Sequence, residues 1–296
     1  MNKILTFFDT LFEHIFSDKN QKKIERVTLW LSIIGFITHL LLIFSKRFEL
    51  FHTPFEARLL DDPISAIYTP FSIILVYEIY LLIMYLPRSF TTAVSKQFEI
   101  ISLILIRRIF GDIPKIELDV NWIENVANRQ LIYDLVGVLV LYFLIYQFNK
   151  HQNKITKKEL SIRLKRFVSS KRAVSLILLP VLIFTSIYTA FTWISGLFLA
   201  SMKESILPDI NSVFYNEFFT ILILADVFIL LLSFQYTERY SQLIRNTGFV
   251  ICTILIRLSF GTYGLTNILL IISSVLFGLL ILRIYHKMES DLLHNS

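Results

Sequence analysis

The chain holds a single cysteine, Cys252, in 296 residues, so no disulfide framework holds the fold, and this thiol inside an apolar segment reads as packing. It has none of the short motifs of soluble-enzyme chemistry: no Walker-type phosphate loop, no dinucleotide-binding glycine fingerprint, no Gly-x-Ser-x-Gly elbow and no paired His/Glu zinc motif. Apart from His39, the histidines are scattered through tails and loops without the spacing a zinc site requires, so neither a metal nor a cofactor is expected. A cleavable signal peptide is not expected either, because Asp9 and Glu13 interrupt the first apolar stretch and no small-residue cleavage site follows. Polar surface is scarce as well: 55% of residues are hydrophobic, 15% aromatic, and the mean hydropathy is +0.63. A water-soluble core would need a far more polar exterior. With no soluble domain to carry soluble-enzyme chemistry, the chain is not expected to be an enzyme.

What fills the sequence instead is a series of apolar runs near the ~20 residues needed to cross ~30 Å of hydrocarbon. The clearest are Thr28 to Phe44, Ile67 to Leu86, Leu131 to Phe148, Ala173 to Ala200, Phe218 to Phe234 and Leu265 to Leu282. Two shorter and weaker segments, Val94 to Phe110 and Thr247 to Phe260, each carry an arginine and stand at equivalent places in the two halves. Counting them gives eight transmembrane helices in an all-α integral membrane protein. Most of the 29 lysines and arginines then fall in the segments that an inside amino terminus would leave in the cytoplasm. That bias predicts a multi-pass protein with both termini cytoplasmic, of bacterial inner-membrane type. The formal charge of +6 is read as loop charge facing anionic lipid head groups, and nucleic acid is not an expected partner.

The halves resemble each other. Glu78 falls on Asp226, Ile104-Leu105-Ile106-Arg107 on Ile254-Leu255-Ile256-Arg257, and Phe110-Gly111 on Phe260-Gly261, all at offsets close to half the chain. Upstream, Thr38-His39 falls on Thr185-Ser186. This predicts a tandem duplication, residues 1–148 and 149–296. With an even number of spans per copy, the two four-helix repeats are parallel in the bilayer. Ahead of each copy the pattern predicts an interfacial amphipathic helix: Ile4, Phe8, Leu11, Phe12 and Ile15 in the first, and Leu160, Leu164, Phe167 and Val168 beside Arg163, Lys165 and Arg166 in the second. The basic tract from Lys157 to Arg172 doubles as the linker between copies.

Glu78 and Asp226 each stand alone in an apolar run. A charged carboxylate at mid-bilayer costs at least ~2.5 kcal/mol on insertion scales, so such a group turns toward protein or water and takes a partner. Arg107 and Arg257 meet the same penalty and cannot shed their charge. Counting depth along the helices predicts that Glu78 faces Arg107 and Asp226 faces Arg257, each pair joining neighbouring helices. Arg108, about 100° further round its helix, is expected to snorkel to the outer surface. His39 titrates near neutrality and completes the candidate ion, proton or solute site, with Thr38, Thr185, Ser186 and Tyr188 at comparable depth. The acidic outer loop around Asp112, Glu117, Asp119 and Glu124 reads as solvated surface.

Intramembrane ionisable groups mark transport pathways, so the expected function is passage of an ion or small solute through the bundle, with the acids as binding groups and the arginines as counter-charges. The alternative is a non-transporting scaffold or assembly subunit whose buried ion pairs fix helix register. A voltage sensor would need arginines at every third position. A potassium filter would need its residue order, which Gly261-Thr262-Tyr263-Gly264 lacks. The transported species and the oligomeric state are not encoded in any motif.

Overall fold

The computed structural model describes residues 2–48, 63–113, 116, 122–152, 162–199, 210–237, 239–262 and 264–294. The described residues form nine α-helices and one short 3-10 turn, Pro63–Ile67, with no strand. The helices are α1 (Asn2–Ile15), α2 (Asp18–Arg47), α3 (Tyr68–Tyr85), α4 (Phe90–Asp112), α5 (Val126–Gln152), α6 (Ile162–Leu199), α7 (Ile210–Phe234), α8 (Tyr240–Ser259) and α9 (Leu265–His294). Five stretches are long and apolar enough to cross a membrane: Asp18–Arg47, Pro63–Tyr85, Val126–Gln152, Leu164–Tyr188 and Leu265–Asp291. Phe218–Phe234 is a shorter apolar stretch. This is the make-up of a helical membrane protein, and the outside of the bundle agrees, with Leu139, Phe184, Phe191 and Leu224 all more than half exposed.

Local chemistry sets the helix boundaries. Ser17 breaks α1 from α2 by accepting the Asn20 backbone N–H at 3.3 Å, while the Asn20 side chain donates to the His14 carbonyl at 2.6 Å. These contacts satisfy groups that a helix end leaves orphaned. Pro87, with no N–H to offer, lies two residues past the end of α3. Ser89 then caps α4 through the Thr92 N–H at 3.2 Å. This cap lies upstream of the apolar segment read from the sequence, so the helix carrying Arg107 is 23 residues long rather than the weak run from Val94. Likewise α8 starts at Tyr240, ahead of Thr247.

The second half departs from expectation at its start. No interfacial helix separates from the span: the linker's amphipathic stretch and the following apolar segment are one 38-residue helix, α6, with Pro180 inside. Leu160 lies outside the described residues. In the first copy the break does occur, and α1 lies against α6. Arg172 of α6 pairs with Asp9 at 3.0 Å and Glu13 at 3.1 Å, and Ser169 donates to Asp9 at 2.6 Å. The polar sides of the two amphipathic stretches thus meet each other in part, rather than both facing head groups.

Consecutive helices pack in order from α2 to α5 and again from α6 to α9. The two series join along α4–α8, α5–α9, α3–α6 and α1–α6. At the centre, Phe148 sets its ring edge-on to Phe98 at 5.1 Å and to Phe249 at 5.9 Å, tying α5 to α4 and α8. Close approach of α5 and α9 requires a glycine: a Cβ on Gly137 would lie 2.7 Å from an Ile268 side-chain carbon. Of the two glycines in the turn between α8 and α9, only Gly264 adopts a positive φ, +69°. Asp112, assigned to a loop from sequence, is the last residue of α4 and is buried. Glu117 and Asp119 lie outside the described residues.

Candidate functional site

Both expected acid–arginine contacts form, and they differ. Glu78, on α3, and Arg107, on α4, are buried, with Oε2 3.4 Å from Nη2. Glu78 Oε2 makes no hydrogen bond of good geometry. Arg107 instead donates through Nη1 to the Phe71 carbonyl at 2.8 Å. Phe71 stands seven residues before Glu78 on α3, so the guanidinium spans about two turns of that helix. Its side chain can reach because helical side chains slope toward the amino end, back along α4 toward the turn that α3 and α4 share.

In the second pair, Asp226 on α7 meets Arg257 on α8 with Oδ2 2.6 Å from Nη1, an ion pair by distance in which neither Nη1 nor Nη2 makes a hydrogen bond of good geometry among the described residues. Thr253 donates to the same oxygen at 2.6 Å. Thr253 lies one turn before Arg257, so the spacing of four sets the hydroxyl and the guanidinium on one face of α8. In α4 the place four residues before Arg107 belongs to Leu103, which is 49% exposed. The hydroxyl that grips Asp226 has no counterpart there. Asp226, Thr253 and Arg257 are all at most 5% exposed.

His39 does not join either acid. Its Nδ1 lies 2.6 Å from the Thr69 hydroxyl, nine residues and ~13 Å of helix away from Glu78. The sequence puts His39 within about two turns of Glu78's level, and the observed separation is slightly longer; nearer that level on α2 is Glu25, whose carboxylate accepts from Tyr77 at 3.5 Å. Thr185 bonds back to the Val181 carbonyl at 2.8 Å and Tyr188 is more than half exposed. The Ser186 hydroxyl, the counterpart of His39, has no hydrogen-bond partner among the described residues. Cys252 is fully buried and packs beside Gly278.

Sequence reasoning missed two further arrangements. Arg108 does not snorkel outward. It grips Asp134 of α5 with both arms of its fork, at 2.8 and 2.6 Å, and donates to Asn267 of α9 at 2.7 Å. Asp134, with no exposure, also accepts from Gln130 at 2.8 Å. Every Asp134 contact is therefore charge-assisted or amide-donated, which is how a carboxylate survives away from water. Its signal was present, since Asp134 is an acid inside an apolar run, but it has no match in the second half of the sequence.

The other missed group is Lys171, part of the basic tract expected to face head groups. It is 2% exposed. Its ammonium donates to the Arg88 carbonyl at 2.6 Å and stands 4.6 and 5.5 Å from the ring centres of Phe90 and Phe167. Burial follows from the packing of α6 against α3 and α1, which no periodicity in α6 alone could report. Lys171, Gln97, Asp226 and Thr253 line one small chamber of about 20 Å³ at the junction of α4, α6, α7 and α8. A larger groove of about 480 Å³, between α8 and its neighbours α7 and α9, is lined by such residues as Phe234, Ile244, Phe277 and Ile281 and by no charged side chain; it carries no chemistry. No group of His, Cys, Asp and Glu among the described residues could hold a metal ion. No protein-family model, curated protein or solved structure matches the chain.

Proposed function

We propose that the protein passes an ion or small solute across a membrane, with Asp226 and Glu78 as the binding carboxylates and Arg257 and Arg107 as their counter-charges. The observation that carries this reading is the Asp226 site: a buried carboxylate, paired with a guanidinium and a hydroxyl, borders a small chamber between helices of both halves, where Lys171, Gln97 and Thr253 stand among mostly apolar side chains. A purely structural ion pair gains nothing from a chamber beside it. The transport reading treats α4, α7 and α8 as spans along with the five long apolar helices, giving eight spans with both termini cytoplasmic in a bacterial-type inner membrane. It is not an enzymatic reading.

The same proposal takes the halves as parallel repeats. In its support, Asn128 and Asn267 are each the third residue of α5 and α9, each fully buried, and each donates its amide to a backbone carbonyl just upstream, Trp122 and Ser259. Two of the contacts across the halves, α4 with α8 and α5 with α9, join the equivalent members of each copy. A scaffold reading draws on the Arg108–Asp134–Asn267 network, which joins the halves through well-satisfied contacts.

Reconstitution into liposomes with an ion and proton flux screen separates the two. Transport predicts a flux in the parent that falls at least tenfold in Asp226→Asn and Glu78→Gln at equal incorporation. A scaffold predicts no flux in any of them, and losses only in assembly.

A further inference from the structure

The chamber beside Asp226 holds an imbalance of charge. Asp226 is neutralised by Arg257 at 2.6 Å, which leaves the Lys171 ammonium without a carboxylate of its own. The charges that act on Lys171 are Asp226 of α7, which attracts it, and Arg245 of α8, which has Glu289 acting on it in turn. The acids of α1 that come near, Asp9 and Glu13, are taken by Arg172. What Lys171 has is one backbone carbonyl and two phenylalanine rings. An ammonium has three donors, and only one of them meets a hydrogen-bond acceptor among the described residues.

Unused donors lie on the other side of the chamber too. Gln97, 5% exposed, lines it from the second turn of α4 and its amide has no hydrogen-bond partner among the described residues. Phe90 and Ala93, also in the lining, belong to the first turn of α4, where the helix presents its positive end. The Lys171 ammonium, with two donors unused, and the Gln97 side chain border a space large enough for one small particle, whose other walls are Asp226, Thr253 and apolar side chains.

We propose that this chamber is a binding site for one small monovalent inorganic anion of halide size, held between the Lys171 ammonium and the Gln97 amide. The anion supplies the counter-charge that Lys171 lacks, and it sits one side chain away from the Asp226–Arg257 pair. This site stands beside the carboxylate site of the transport reading and rests on that reading for its role, though binding itself does not depend on flux.

The test follows thermal unfolding of the purified full-length protein in detergent, titrated with potassium chloride or bromide against potassium gluconate at constant ionic strength and pH. The expected result is a saturable rise of the unfolding midpoint with the halides alone. Lys171→Met, which replaces the ammonium with an apolar chain of similar length, abolishes the rise. Gln97→Leu weakens the apparent halide affinity by about tenfold, the worth of one hydrogen bond to a charged partner, and it carries the test by itself if Lys171→Met does not accumulate. A midpoint that follows ionic strength only, or a halide response unchanged in the variants, overturns the proposal. Halide binding without any flux in liposomes leaves the site standing and removes the transport reading. Flux of another species with no halide response does the reverse.

Discussion

Glu78 and Asp226 occupy matching places in the two halves and face matching arginines, yet only one of them is held firmly. Asp226 accepts a 2.6 Å hydrogen bond from Thr253 on the oxygen that also stands 2.6 Å from Arg257 Nη1, an ion pair without hydrogen-bond geometry. Glu78 has a single 3.4 Å approach from an arginine that is also engaged by the Phe71 carbonyl. A charge-assisted contact has its full strength below about 3 Å. The difference shows that equal chemistry at equal sequence positions does not give equal energetics: what surrounds the pair decides. In the second half, Thr253 and the nearby Lys171 bring polar groups into a mostly apolar enclosure, whereas in the first half Leu103 takes the place of the hydroxyl and turns to the exterior.

The largest expected effect tests that difference directly. Asp226→Leu leaves Arg257 charged and 4% exposed, and breaking a buried pair in this way costs about 3–5 kcal/mol. Glu78→Leu leaves Arg107 with the Phe71 carbonyl, and the cost drops to about 1–2 kcal/mol, since an arginine with an acceptor is not an orphaned charge. Reversible denaturation of the purified variants in a mixed detergent and SDS titration measures both. Equal losses would mean that the 2.6 and 3.4 Å contacts carry no energetic distinction, and the comparison would fail.

A smaller effect sharpens it. Thr253→Val keeps the volume and removes the hydroxyl, and so deletes one of the two contacts to Asp226 without touching Arg257. The expected loss is about 1.5–3 kcal/mol, the range for a hydrogen bond to a charged group. In an Asp226→Leu background the same substitution should cost much less, because the hydroxyl then falls back on the Val250 carbonyl it already approaches at 2.9 Å. A double-mutant cycle reads the coupling. Additive losses would place the hydroxyl's value in the helix backbone and not in the acid.

Much of this organisation was legible before any coordinates. Isolated acids and arginines in apolar runs announce themselves through the cost of burying charge, and depth counting brought each acid to its arginine. What stayed hidden depends on packing between distant segments. Lys171 reads as one member of a basic tract until α6 is laid against α3 and α1, which closes Phe90 and Phe167 over it. Arg108 and Asp134 belong to the first half alone, so a search for features shared by both halves passes over them. The continuity of α6 was hidden for a different reason. An amphipathic stretch followed by an apolar one reads as two elements, and only a capping residue such as Ser17 marks a true break.

His39 offers the smallest effect and a check on the first half. Its ring is bound to Thr69 near the start of α3, on the far side of Phe71 from Glu78, and its only match in the second half is Ser186. If the first-half site consists of Glu78 and Arg107 alone, His39→Asn keeps a hydrogen-bonding side chain at Thr69 and changes any liposome flux by less than about twofold, with no new pH dependence between pH 6 and 8, where an unperturbed imidazole titrates. A flux that falls as steeply as in Glu78→Gln would extend the first-half site by ~13 Å toward the start of α3. The two halves would then differ in the length of their polar paths as well as in how firmly each holds its acid.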